Sequence, residues 1–354
     1  MKSNKLTLGF PLLVKELTEL AARKRTYYLR VLYAVSLFAA ALFVFWVMTY
    51  DRRYNGPFAV LGTGGDMFHA LVNLQFVGIY LFLPAMTCTA ITAEKERDAL
   101  ALLLLTRLGP WTILWEKLLS RLIPMFTLIL LALPLMAFAY TYGGLQQQEI
   151  WGAVLMLAVT SIQVAALCLM CSSFFRTTVA AYIAAYLIGA AIFPAIPLLV
   201  EQMVVRLNED IALMFVGPYV FDEVFVRGSG FGGELAVRLF PFALSIAVFM
   251  GLARYWLLRR AFAQPRYWIR NFFRRLDGIF TKLNQNRITR GVVLMREGST
   301  LPLYEPVSWR ETEKKNLGRF RYLIRVFLGL ELPLAFICTS AVLMERRSPV
   351  LAEL

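Results

Sequence analysis

Six stretches of this 354-residue chain are apolar for long enough to cross a lipid bilayer, at about 31–50, 68–91, 118–142, 150–174, 178–200 and 238–257. A span needs roughly 20 predominantly apolar residues to cover ~30 Å of hydrocarbon. A shorter candidate follows at 326–344. Within hydrocarbon each segment must satisfy its own backbone N–H and C=O groups, so these runs read as helices. The composition agrees, since 59% hydrophobic against 17% charged residues is too apolar for a soluble globule. The fold class this predicts is an all-α integral membrane protein, a six-helix transmembrane bundle with a seventh span behind it.

Orientation follows from where Lys and Arg lie around the spans. The segment before the first span carries Lys2, Lys5, Lys15, Arg23, Lys24 and Arg25, the link between spans 2 and 3 carries Lys95, Arg97, Arg107 and Lys117, and the stretch after span 6 carries Arg259, Arg260, Arg266, Arg270, Arg274 and Arg275. These read as cytoplasmic. The 140–149 link has no Lys or Arg, and the 201–237 loop has Arg206 and Arg227 against six acids, so both read as external. Only Arg52 and Arg53 run against the pattern. The chain is expected in the plasma membrane with its N-terminus on the cytoplasmic side. Its basic start lacks the short apolar core of a signal peptide. The formal charge of +14 is then mostly an inner-leaflet charge facing anionic lipid, and nucleic acid is not expected as a partner.

Several motifs of soluble chemistry are present in letter only. Cys168-x-x-Cys171 lies inside a span, as do Cys88 and Cys338, and reads as small packing residues with no disulfide framework. His69 is the single histidine and cannot build a His-rich metal site, so no metal site is expected. Gly228-Ser-Gly-Phe-Gly-Gly233 fits GxGxxG, but it lies in an acidic loop ahead of a span and not between a strand and a helix. No Gly-Lys-Ser/Thr phosphate loop, HExxH or paired intramembrane aspartates occur, so no enzymatic site is expected.

The informative segment is the link between spans 2 and 3. Glu94, Glu96 and Asp98 are placed to favour the positive end of a helix dipole, with Lys95 and Arg97 holding that head in water. Leu100 to Leu105 then form an apolar run too short to span, expected to lie along the interface or pack under the bundle. Gly109-Pro110 breaks it, and Trp111 and Trp115 anchor the next helix. The ordered series Glu94, Glu96, Leu100, Leu102, Leu103, Leu104, Thr106, Ile113, Lys117 resembles the first cytoplasmic loop of ABC-2 type permeases, the membrane subunits of ATP-driven exporters. Asp98, Ala99, Ala101 and Arg107 depart from that family's pattern of Gly, Thr, Glu and Pro.

The resemblance covers about residues 10–257 and implies several things. The short helix couples the bundle to a separate nucleotide-binding ABC ATPase, with Glu94, Glu96, Arg97, Thr106 and Lys117 as the coupling residues. A second permease copy, identical or not, completes the pathway. This chain binds no cofactor itself, with ATP and Mg expected on the partner, and it moves an unidentified substrate without covalent chemistry. The rival is a non-transporting membrane anchor that recruits a cytoplasmic complex.

Polar residues inside spans tend to face the bundle interior. Asn73, Gln75, Ser161 and Gln163 are the candidates to line a pathway, with interhelical hydrogen bonding as the alternative. Thr160 shares that description. Ala181, Ala185 and Gly189 recur every four residues and form a smooth stripe for close helix approach, within the bundle or across a dimer. Pro84, Pro124, Pro134, Pro194, Pro197 and Pro241 predict kinks near the external side.

Three parts are expected: a transmembrane domain over 1–257, a basic cytoplasmic segment over 258–325, and the seventh span with a short tail over 326–354. In the middle part Trp268, Ile269, Phe272, Phe273, Leu276, Ile279, Phe280 and Leu283 follow helical spacing among Arg and Lys, a basic amphipathic helix for the inner leaflet. Pro11, Lys15-Glu16, Lys24, Tyr27, Arg30 and Val31 recur at an offset of 295 as Pro306, Arg310-Glu311, Arg319, Tyr322, Arg325 and Val326. This pattern suggests duplication, with a second bundle begun and not completed.

Overall fold

The computed structural model describes residues 10–22, 24–51, 64–96, 99–105, 108–195, 214–226 and 233–260, and all regular structure among them is helical. Contacts divide the chain into two compact units, Met1–Pro265 and Arg266–Leu354. The basic amphipathic helix, the seventh span and the second copy of the repeat fall in the latter unit, outside the described residues; the GxGxxG match, in the first unit, also lies outside them up to Gly232.

The first unit opens with α1 (Pro11–Ala22) and α2 (Lys24–Asp51). Then come α3 (Gly64–Thr87), α4 (Thr89–Glu96) and the five-residue α5 (Leu100–Leu104). Next follow α6 (Pro110–Thr141), α7 (Gln147–Phe174) and α8 (Thr178–Ala190), the last running into a π turn over Ala191–Ala195. A short α9 (Gly217–Phe221) with a π turn over Asp222–Val226 precedes α10 (Gly233–Arg260). Among the described residues four stretches, Gly64–Glu96, Pro110–Thr141, Gln147–Phe174 and Leu235–Arg260, are long and apolar enough to cross a membrane. These correspond to the expected spans 2, 3, 4 and 6. Val31–Phe43 and Thr178–Phe193, in spans 1 and 5, are apolar helix but shorter.

Helix α7 is the centre of the bundle, with 72% of its most apolar window buried against 22% for α10. Its sequence shows why. Gly152, Ala153, Ala165, Ala166, Cys168, Cys171, Ser172 and Ser173 are all buried, and small side chains let several helices approach one axis closely. A Cβ at Gly152 would occupy the space held by the Phe225 ring. The three described cysteines are free and buried, in keeping with small packing residues.

Prolines interrupt the helices at fewer places than expected, and at one unexpected end. Pro84 immediately precedes the break at Cys88 between α3 and α4, on the side that carries Lys95, whereas Pro124, Pro134 and Pro241 lie within continuous helices. Pro194 falls in the π turn that follows α8, and Pro197 lies outside the described residues.

The 201–237 loop carries structure of its own where it is described. Its residues 214–226 fold back onto α3 and α7, burying Val220, Phe221, Val224 and Phe225. Gly217 sits so close to Thr160 and Phe76 that a Cβ would not fit. Phe221 joins an aromatic cluster with Phe68, His69 and Phe76, ring centroids 5.9–6.5 Å apart, which gives the single histidine its structural surroundings. Arg238 of α10 donates through Nη1 and Nη2 to the two carboxylate oxygens of Glu223, at 2.5 and 3.0 Å. At the same end, Gly143 and Gly144 adopt φ of +79° and +81°, and this left-handed pair ends α6 and turns the chain into α7.

Candidate coupling site at the basic end

The Glu94–Glu96 segment is placed differently from the sequence reading. It forms the last turn of α4, as the helix from span 2 resumes after Cys88 and ends at Glu96. Acidic residues at a helix C-terminus meet the negative end of the dipole, so each of these charges needs a partner from another helix, and each finds one.

Lys117 supplies the first. Its ammonium, on an α6 side chain only 1% exposed, donates to Glu94 Oε1 at 2.7 Å, to Glu16 Oε1 at 2.7 Å and to the Ala90 carbonyl at 2.8 Å. Three donors meet three acceptors from α1 and α4, which is the condition under which a buried ion is tolerated. Glu16 is further held by the Ser120 hydroxyl at 2.6 Å and by Arg121 at 3.4 Å. One helical turn upstream, buried Glu116 accepts the Leu13 amide of α1 at 2.9 Å, satisfying an early N–H of that helix. Four α6 residues, Glu116, Lys117, Ser120 and Arg121, therefore fasten α1 along one face.

Lys95 and Glu96 tie α4 to the joint between α7 and α8. Buried Lys95 donates to the carbonyls of Ser172, at 3.0 Å, Ser173, and Phe175, at 3.1 Å, neutralising the C-terminal end of α7. Glu96 Oε1 accepts the Thr178 amide at 2.7 Å, so its charge sits at the positive N-terminus of α8. Ser172 mends the break at Cys88. Its hydroxyl accepts from the Ile91 and Thr92 amides at 3.0 and 3.1 Å and donates to the Cys88 carbonyl at 2.9 Å. Those groups lose their helical partners at the interruption, and a hydroxyl on the central helix replaces them.

Three of the five expected coupling residues are thus engaged inside the chain: Glu94 and Lys117 with each other, and Glu96 with α8. Arg97 and Thr106 lie outside the described residues. The expectation that Lys95 stands in water is corrected, because the α7 terminus offers it three carbonyls. Exposure falls instead on the apolar run, where Leu102 is 69% and Leu105 is 82% exposed while Leu100 is buried. Beside this run, residues of α1, α4, α5 and α6 line an open pocket that includes Leu12, Lys15, Glu19, Leu103 and the Glu16–Lys117–Glu94 cluster.

The pathway candidates separate in the same way. Gln75 is buried and accepts the Tyr33 hydroxyl of α2 at 2.7 Å. Buried Ser161 donates to Leu157 of its own helix at 2.7 Å, and Gln163 donates to Ser245 of α10 at 3.0 Å and to the Phe215 carbonyl at 3.4 Å. These three serve as bonds within and between helices. Asn73 is exposed, the one of the four that reaches the surface of the chain. Ala181 and Ala185 are buried within the bundle, where α8 meets α7, and Gly189 stands 3.5 Å from Leu167 when a Cβ is placed on it.

Ser172, Glu16 and Glu116 were not singled out as site residues from sequence. A usable signal exists for one of them: Glu116, with Lys117, Ser120 and Arg121, puts polar groups on one face at the start of an otherwise apolar helix, which requires partners. Among the described residues no group of three His, Cys, Asp or Glu is arranged to hold a metal ion.

No family model matches the chain, and no curated protein matches it.

The cluster has a pH signature through Glu16. Burial pushes this carboxyl up, but Lys117, Arg121 and the hydrogen bonds from Lys117 and Ser120 outweigh it and hold the carboxyl below its ordinary value of 4.5. A group depressed in the folded state contributes stability that is complete above the unfolded value and is lost as pH falls through the folded one. A spin label at Thr18→Cys should therefore stay immobile from neutral pH down to about 4.5 and gain mobility below it, and Glu16→Gln should flatten that response. A label whose mobility changes instead between about pH 6 and 8 would contradict this assignment.

Proposed function

We propose that this chain is the membrane-spanning permease subunit of an ABC-type exporter, a six-helix bundle with a cytoplasmic N-terminus that uses ATP hydrolysed by a separate nucleotide-binding subunit. The observation that carries the reading is the cluster at Lys117. This one buried ammonium joins α1, the helix of the second span and the helix of the third, directly beside an apolar turn whose Leu102 and Leu105 face outward.

A partner pressing on that turn would move two spans as one body, since Glu94 and Lys117 cannot separate without leaving charges unpaired in a buried site. On this reading the acidic and basic residues transmit force, and the exposed leucines make the contact. The ordered match of Glu94 through Lys117 to the ABC-2 loop supports the same assignment, as does the lack of any phosphate loop in this chain, which requires ATP and Mg to be held by the partner. A second copy would complete the pathway, with exposed Asn73 available to line it.

Photo-crosslinking tests the contact. A benzophenone amino acid at position 105 should capture a nucleotide-binding protein in host membranes, while the same probe at Tyr140, exposed on the opposite end of α6, should not. Equal capture at both positions, or capture of none at 105, would refute it.

A further inference from the structure

We propose that the open pocket between α1, α4, α5 and α6 binds the headgroup of a zwitterionic phospholipid that carries a primary amine, the phosphoethanolamine class. The pocket measures about 520 Å³, within the range of small-molecule sites. Lys15, Lys117 and Arg121 line it together with Glu16, Glu19 and Glu94. A ligand of one sign would meet three like charges there, whereas a zwitterion finds a partner for each of its ends.

Most of these charges already serve one another. Lys117 is saturated by Glu16, Glu94 and the Ala90 carbonyl, and Arg121 holds Glu16. Two groups still lack partners. Oε2 of Glu94 is buried with no hydrogen-bond partner, although the side chain as a whole is 24% exposed. Lys15 is exposed and makes no ion pair among the described residues. A bare acceptor and a bare donor lining one pocket call for a ligand with the complementary pair, an ammonium for Glu94 and a phosphate oxygen for Lys15. The first contact carries more of the discrimination, because a buried carboxylate oxygen left without a donor bears its full desolvation penalty.

A lipid, and not a soluble zwitterion, is indicated by depth. Trp111 and Trp115 are exposed one turn apart at the start of α6, just ahead of Lys117, and tryptophans at a span end settle at headgroup level. On α1, Leu12, Lys15, Glu16, Glu19 and Leu20 share the face that lines the pocket, while Phe10 and Val14 are exposed one turn apart on the same segment. Apolar side chains left outside such a polar face suit a helix lying in the interface. Leu12, Leu20 and Leu103 add apolar wall to the pocket, against which the glycerol backbone and first methylenes of a lipid pack. This inference rests on insertion of the bundle in a membrane and is independent of any ATPase partner.

The test uses the full chain purified in detergent and offered dioctanoyl lipids one at a time, with retained lipid counted by native mass spectrometry. Phosphatidylethanolamine should be retained at least about tenfold more than phosphatidylcholine, whose quaternary nitrogen has no N–H for Glu94, and more than phosphatidylglycerol, which has no cation. Lys15→Gln should lower retention of phosphatidylethanolamine at least about threefold, and Lys15→Arg should keep it. Ala93→Phe fills the pocket from α4 and should abolish retention, with SDS unfolding showing that the bundle is intact. Arg259→Gln removes an equal charge from α10 and should change nothing. If Ala93→Phe fails to fold, the headgroup series and the Lys15 variants decide alone. The proposal fails if phosphatidylcholine is retained as well as phosphatidylethanolamine, if Arg259→Gln loses as much as Lys15→Gln, or if a folded Ala93→Phe still holds the lipid. It fails also if glycerophosphoethanolamine displaces the lipid at equal concentration, which would mark a site for a soluble zwitterion.

Discussion

Replacing Lys117 by Met should destabilise the folded bundle by about 3–5 kcal/mol, the cost of removing one partner of a buried ion pair. Lys117 is 1% exposed, and its two carboxylate partners, Glu16 and Glu94, are 12% and 24% exposed. Without the ammonium these acids face each other with no shared cation between them, and the Ala90 carbonyl loses its donor as well. One of the carboxylates must then take up a proton or α1 must leave its seat against α6. The loss is large beside the roughly 5–15 kcal/mol by which whole domains are stable. Unfolding titrated with SDS in bicelles measures it. The triple variant Lys117→Met, Glu16→Gln, Glu94→Gln should recover most of the loss, because exchanging a whole buried ionic group for neutral groups of similar volume is often neutral. A single Met variant as stable as the parent would mean that the cluster holds nothing together.

The second large effect concerns association. Joint replacement of Leu102 and Leu105 by Glu should lower co-purification of a nucleotide-binding subunit by at least about tenfold, as expected when two anchors of an apolar contact are lost at ~1–3 kcal/mol each. Both side chains are exposed, at 69% and 82%, so the substitutions put charge into water and leave the helices around them unaltered. The same SDS titration provides the control, with unchanged unfolding expected. This pair is a cleaner probe than joint alanine replacement of Glu94, Glu96 and Arg97. Two of those residues hold the fold, Glu94 through Lys117 and Glu96 through the start of α8, so their removal would mix coupling with stability.

The helices were legible because hydrocarbon leaves few alternatives. A run of about 20 apolar residues must satisfy its own backbone, and the bounds of α3, α6, α7 and α10 fall near the expected spans. Two features escaped, each for its own reason. The packing of 214–226 onto the bundle is carried by Val220, Phe221, Val224 and Phe225, apolar residues in a loop whose acidic charge dominates its appearance. The inward turn of Lys95 depends on the C-terminus of α7 arriving beside it, and long-range backbone acceptors leave no trace near position 95. The break at Cys88 was equally hidden, as its repair by Ser172 joins residues more than eighty positions apart. What the local pattern does reveal is need: a lysine and two glutamates at the ends of apolar helices require partners, although it does not say which.

The central claim, that this bundle works as the membrane half of an ATP-driven exporter, is tested most directly by what accompanies the full chain out of host membranes in mild detergent. The account predicts a nucleotide-binding subunit in constant ratio to the permease, with ATP hydrolysis that follows it through purification and is lost from the Leu102→Glu, Leu105→Glu preparation. A chain that emerges intact, unfolds as expected and carries neither a nucleotide-binding partner nor ATP hydrolysis would contradict the account and favour a membrane anchor.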